Sequence, residues 1–145
     1  MLETLRAPAS RYQTPNPPDL NQAAERRRLS PPAYRAMVGL AGAWKLSVDE
    51  VGALLGGVAP STWHSWRASP PADLGVDRLT RISYLMGIFT ALHVVHHDAL
   101  ADKWVRLANT NVLFNGRTPL EVMAMGGIPM MAEVRTLLDS RRGGQ

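Results

Sequence analysis

The amino-acid sequence predicts an all-α protein, and three observations carry that expectation. Apolar residues recur at steps of three and four through most of the chain, the spacing of a helix face. Helix-start residues and helix-stop glycines alternate along it. No alternating run of β-branched residues occurs, and Asn115-Gly116 lies between helical segments rather than between strands.

Residues 1–20 contain Pro8, Pro15, Pro17 and Pro18 and follow neither a helical nor a strand period, so they read as a flexible arm. A short helix is expected over residues 19–28; its Arg26, Arg27 and Arg28 are either a solvated charge run or contacts for phosphate. Ser30 then reads as the cap of a second helix with Pro31 at its first position, where a missing N–H is harmless. Tyr34, Met37, Val38, Ala41 and Trp44 form its apolar stripe. Ser47, with Glu50 three residues on, is a capping box that opens a helix stopped by Gly56-Gly57. Pro60 opens another, through Trp66, which Ser69-Pro70-Pro71 breaks.

A long helix over residues 74–95 repeats Leu79, Ile82, Leu85, Met86 and Phe89 and is apolar over much of its girth, as a buried spine or a dimer element would be. Asp98 is expected to cap a helix bearing Leu100, Trp104, Val105 and Leu107. Thr118-Pro119-Leu120-Glu121 opens the next, which Gly126-Gly127 ends, and Pro129 starts a last helix that runs to Gly143-Gly144.

Composition narrows the function. A chain of 145 residues, 46% hydrophobic and 19% charged, has the balance of one folded unit. Cysteine is absent, which excludes disulfides, cysteine zinc sites and thiol nucleophiles. The net charge is +4, carried almost wholly by arginine since Lys45 and Lys103 are the only lysines, and is compatible with a nucleic acid partner. No secretory segment opens the chain, and its most apolar stretch, residues 82–95, is shorter than the roughly 20 residues of a membrane span, so a cytoplasmic protein without membrane contact is expected.

His93, His96 and His97 read as a helix-end cluster rather than a metal site, because Asp98 is the only acidic neighbour that sequence places there. Met123, Met125, Met130 and Met131 suit adaptable packing or a partner surface. With no Gly-rich phosphate loop after a strand and the fourth histidine, His64, placed elsewhere, neither catalysis nor a cofactor is expected.

The segment from Ser47 to Arg67 carries the first functional signal. Val51 and Leu55 face a core, Gly52 lets the next helix approach, and Val58 plugs the turn. Trp63 and Trp66 lie on one side of the second helix and should hold it against the first. Ser61, Thr62, His64, Ser65 and Arg67 are left for solvent, where short polar side chains permit close approach to a major groove and Arg67 reaches a base edge or phosphate. Leu54-Leu55-Gly56 with Ser61-Thr62-Trp63-His64-Ser65-Trp66 resembles the helix-turn-helix of the Xre class of repressors. Gly52 in place of the usual alanine and the extra turn residue Gly57 depart from that pattern.

Residues 108–121, from Ala108-Asn109-Thr110 through Phe114-Asn115-Gly116-Arg117 to Leu120-Glu121, are followed by Gly126-Gly127, Val134-Arg135, Leu138-Asp139 and Arg141. This order resembles the toxin-binding domain of Xre/MbcA/ParS-type antitoxins. The resemblance implies an all-α fold with a helix-turn-helix half and a small helical toxin-binding domain, divided as an arm at 1–20, a DNA-binding and dimerisation region at 21–96 and a toxin-binding region at 97–145. It implies a type II antitoxin that acts as a homodimer, represses its own operon by binding operator DNA, and covers the active-site cleft of a cognate RES-type toxin that degrades NAD, or of a related ADP-ribosylating toxin. Phe114, Asn115, Gly116, Arg117, Arg135, Arg141, Arg142 and Gln145 are the expected toxin contacts, the last four because a helix end can project into a cleft and arginine can meet acidic groups there. A repressor of the same class without a toxin partner, and a pure protein-binding module, are the alternatives.

Overall fold

The structure, a computed structural model, describes residues 17–142. Six α-helices are assigned among the described residues: α1 (Ala23–Ala43), α2 (Val48–Leu54), α3 (Pro60–Ser65), α4 (Gly75–Val95), α5 (Asp98–Lys103) and α6 (Pro119–Arg142), with a 3-10 turn at Trp104–Arg106 after α5. No strand is present among the described residues.

The spine is α4, which packs against α1 and against α6. Its Leu79, Ile82, Leu85, Ile88, Ala91 and Leu92 are buried beneath Met37 and Leu40 of α1 and Met123, Met131, Val134 and Leu138 of α6. Each large apolar side chain so buried stabilises the fold by roughly 1.5–3 kcal/mol. Much of the apolar girth of α4 is therefore occupied within the chain, while Val76 and Val94 are exposed. One continuous apolar cluster includes residues from both halves.

The sequence places a break at Ser30-Pro31, but α1 runs through it. Pro31 and Pro32 cannot donate to the carbonyls of Arg27 and Arg28. The Ser30 hydroxyl instead donates to the Arg26 carbonyl (2.6 Å) and accepts the buried N–H of Leu74 (2.9 Å), knotting α1 to the start of α4. Arg26 reinforces the knot, bonding Asp73 (3.1 and 3.2 Å) and the Leu20 carbonyl (2.9 Å). A tertiary partner thus makes the serine an interior residue rather than a cap. The expected arm at 1–20 lies outside the described residues up to position 16. Val38, expected on the apolar stripe, is exposed.

Both capping boxes form. The Ser47 hydroxyl accepts from Glu50 N (3.1 Å) while Ser47 N donates to the Glu50 carboxylate (2.8 Å), and Thr118 with Glu121 repeats the pattern. Asp98 is not a cap but the first residue of α5, after His97, because its carboxylate turns back to His93. At Gly127 the backbone leaves helical values (φ 66°, ψ −149°) and α6 kinks, at the break expected from Gly126-Gly127 and Pro129. Trp104 and Val105 fall on the 3-10 turn rather than on a continued α5.

Candidate DNA and partner interfaces

Glycine at position 52 has a direct structural cause. The longer turn, with Gly56 and Gly57 at φ 84° and 109°, brings the Val58 carbonyl over α2, where the oxygen would overlap any Cβ at Gly52. The Gly52 carbonyl accepts both Gly57 N (2.8 Å) and Val58 N (3.2 Å), so the turn is tied to the helix it follows. Val58 is buried, as a plug should be.

Beyond this turn, α3 rests on an aromatic trio. Trp63 and Trp66 stand 5.7 and 6.1 Å from the Tyr34 ring and 5.9 Å from each other, mostly edge to face. The tryptophans therefore also meet α1 through Tyr34, while α3 packs against α2. Arg78 of α4 lies over Trp66, 5.7 Å from its centroid. Ser61, Thr62, His64, Ser65 and Arg67 are all exposed on the opposite side. The Ser65 hydroxyl donates to the Thr62 carbonyl (2.8 Å), leaving its oxygen to accept. Of the three consecutive arginines, Arg26 pairs with Asp73 and Arg28 with Glu25, while Arg27 is exposed.

In the C-terminal half, residues 109–117 close on themselves: Asn109 N donates to the Arg117 carbonyl and Gly116 N to the Asn109 carbonyl, each at 3.2 Å. Inside the loop Asn109 Oδ1 accepts Asn111 N and Asn111 Oδ1 accepts Leu113 N, both at 2.9 Å. Asn115 and Gly116 turn through left-handed backbone (φ 52° and 81°). Phe114 is 1% exposed and meets Trp104 edge to face at 5.7 Å, so the expectation that it touches a partner is corrected: it roots the loop in the core. Asn115, Gly116 and Arg117 are exposed.

On α6, Arg135 pairs with Asp139 (3.0 and 3.1 Å) and lies across Gly87 of α4, where a Cβ would collide with its guanidinium. Its side chain is 34% exposed while it helps to seat α6 on α4. Arg141 is half-buried, and the Arg142 side chain and residues 143–145, with the expected contact Gln145, lie outside the described residues. Burial, with the charges of Arg141 and His97, holds the His96 imidazole below its ordinary pKa. Burial also acts against protonation of His93, but bonds from its two ring nitrogens to Asp98 (3.0 Å) and Asp102 (2.9 Å) outweigh it and raise that pKa. Among the described residues no group of three or more His, Cys, Asp or Glu could hold a metal ion, and no helix is long and apolar enough to cross a membrane.

Two arginines join the halves, and sequence reasoning passed over both. Arg106 donates to the Trp44 (2.9 Å) and Lys45 (2.7 Å) carbonyls and to the Glu50 carboxylate (2.6 and 3.1 Å). Arg81 pairs with Asp77 (2.8 Å), donates to the Leu54 carbonyl (3.3 Å), and lies beside Gly56 of the turn and Gly127 of the kink.

The Antitoxin Xre-like helix-turn-helix domain matches residues 23–87, and the Antitoxin Xre/MbcA/ParS C-terminal toxin-binding domain matches residues 90–144. The chain belongs to the Xre/MbcA/ParS-type antitoxins. It is similar to the uncharacterized protein y4oB of Sinorhizobium fredii (strain NBRC 101917 / NGR234), 32% identical over 115 residues that cover 79% of this chain and 87% of y4oB. No solved structure matches.

Proposed function

We propose that this antitoxin binds a cognate RES-type, NAD-degrading toxin through its C-terminal half, occludes that enzyme's active site, and represses its own operon as a homodimer through α3. The observation that carries the reading is the joining in one chain of a recognition helix, whose Ser61, Thr62, His64, Ser65 and Arg67 are all exposed, to a matched toxin-binding domain whose last helix closes on Arg141 and Arg142. In this reading the short side chains of α3 approach base edges, and Arg67 contacts a base or phosphate. A two-fold pair of such helices reads a symmetric operator and doubles the phosphate contacts.

Arg141, Arg142 and residues 143–145 enter the toxin cleft by charge and shape, with Asn115, Gly116 and Arg117 at its margin. Phe114 and Arg135 hold those groups in place. Inhibition needs no chemistry from the antitoxin, only exclusion of NAD from its site. Cytoplasmic action follows, since both operator and NAD are there. The test is co-expression with the product of the neighbouring gene. Rescue of growth, recovery of cellular NAD and co-purification of a RES-type toxin are the expected results. Operator binding with no toxin recovered would instead mark a repressor without a toxin partner.

A further inference from the structure

Resting on the operator-binding part of that reading, we propose that Arg81 is a positioning residue for operator recognition: it fixes the turn that delivers α3 and joins that turn to the kink of α6. The turn needs a hold from outside. Gly56 and Gly57 follow one another at φ 84° and 109°. Glycine has the most conformations to lose on folding, so two in succession leave the direction of the next helix weakly set by the backbone alone. The turn's own bonds run from Gly57 N and Val58 N to the Gly52 carbonyl. The Leu54 carbonyl, at the end of α2, takes the Arg81 guanidinium instead (Nη1 to O 3.3 Å), a cation at the negative end of the helix dipole. That guanidinium lies so close to Gly56 that a Cβ there would stand 2.9 Å from its Cζ and Nε.

Arg81 is itself held. Asp77, one turn earlier on α4, accepts from Nε at 2.8 Å, and the Arg81 side chain is only 16% exposed. It is thus committed to the turn rather than offered to a phosphate, unlike Arg67, which is exposed just past α3. The same guanidinium reaches α6. Its Nη2 would stand 3.1 Å from a Cβ on Gly56 and 3.4 Å from a Cβ on Gly127. Gly127 is at φ 66° and ψ −149°, a backbone that is essentially glycine's alone. Two glycines, one from each matched domain, therefore border a single nitrogen atom. The recognition helix is aligned by α4 directly, and by α6 through the place it gives Arg81.

The experiment titrates the full chain with a duplex spanning its own promoter, by fluorescence anisotropy over a range of salt, at a temperature where circular dichroism shows every variant folded. Arg81→Met keeps the aliphatic stem and should weaken binding by about tenfold. The slope of log affinity against log salt should not change, because no phosphate contact is lost. Gly127→Ala should weaken binding by about threefold, since the kink must shift to admit a Cβ. In the double variant the losses should not combine: affinity should stay within about twofold of Arg81→Met alone, because the kink acts on the turn through that guanidinium. Ile88→Val, a buried substitution about two turns further along α4, should lower the thermal midpoint and leave operator affinity unchanged. A slope reduced by about 1 in Arg81→Met would overturn the proposal in favour of a phosphate contact. Affinity within about twofold of wild type for Arg81→Met, or an equal loss in Ile88→Val, would overturn it as well. Losses that multiply in full in the double variant would overturn the join to α6. Failure of the unaltered chain to bind the duplex would instead refute the operator reading beneath it.

Discussion

Arg106 grips both carboxylate oxygens of Glu50, at 2.6 and 3.1 Å, and so ties the 3-10 turn of the C-terminal half to the capping box of α2. The same guanidinium takes the Trp44 and Lys45 carbonyls, at the negative end of the α1 dipole. One side chain from the toxin-binding half therefore completes the junction between the first two helices of the DNA-binding half.

Replacing that side chain should loosen both halves together. Arg106→Met keeps the aliphatic stem and removes the bonds, and should lower stability by about 1–3 kcal/mol, read by urea denaturation. Arg106 is also the leading cause of the depressed Glu50 pKa. A carboxyl whose folded pKa is lowered contributes stability above its unfolded value, which is lost as pH falls through the folded one. The wild-type chain should thus lose more stability than Arg106→Met as pH is taken below about 4.

Gly52→Ala restores the residue usual in this class of helix-turn-helix and should nevertheless harm this protein. The new Cβ meets the Val58 carbonyl oxygen, so the turn must open and α3 must shift. A loss of about 1–3 kcal/mol and weaker operator binding are expected, from thermal melts and a gel-shift titration. Gly39→Ala, in open space on α1, should instead stabilise by about 0.5–1 kcal/mol.

His93 bridges Asp98 and Asp102 at the corner between α4 and α5, and its pKa is raised. The stability it contributes is fully present below its unfolded value, near 6.5, and is lost as pH rises through the folded value. Thermal midpoints should fall over that window in the wild-type chain and stay flat in His93→Gln. The lowered pKa of His96 acts in the opposite direction, below pH 6.5, where its protonation weakens the fold. A wild-type midpoint that does not fall above pH 6.5 would count against the bridge.

The two faces should also separate by mutation. Arg67→Ala should weaken operator binding and reduce the slope of log affinity against log salt by about 1, with toxin neutralisation unchanged. Equal loss of both activities would contradict the division of labour.

What was legible in the sequence was local. The capping boxes at Ser47 and Thr118 and the break at Gly127 each depend on residues within one turn, and all stand where the sequence puts them. The exposed face of α3 was legible too, because two tryptophans three residues apart define its opposite side. Ser30 was misread since its deciding partner, Leu74 N, is 44 residues away, and nothing nearby distinguishes a cap from a buried knot. Arg106 was missed for the same reason, its partners lying 56 to 62 residues distant. Phe114 belongs to a recognisable run, but a run of residues does not say which of them face inward. Only the packing of Trp104 does.

The most direct test of occlusion compares inhibition of NAD turnover by the full chain and by a chain ending at Ser140. An inhibition constant at least about tenfold higher for the shortened chain is the result expected if the end of α6 fills the cleft. An unchanged constant, with the toxin still bound, would contradict it.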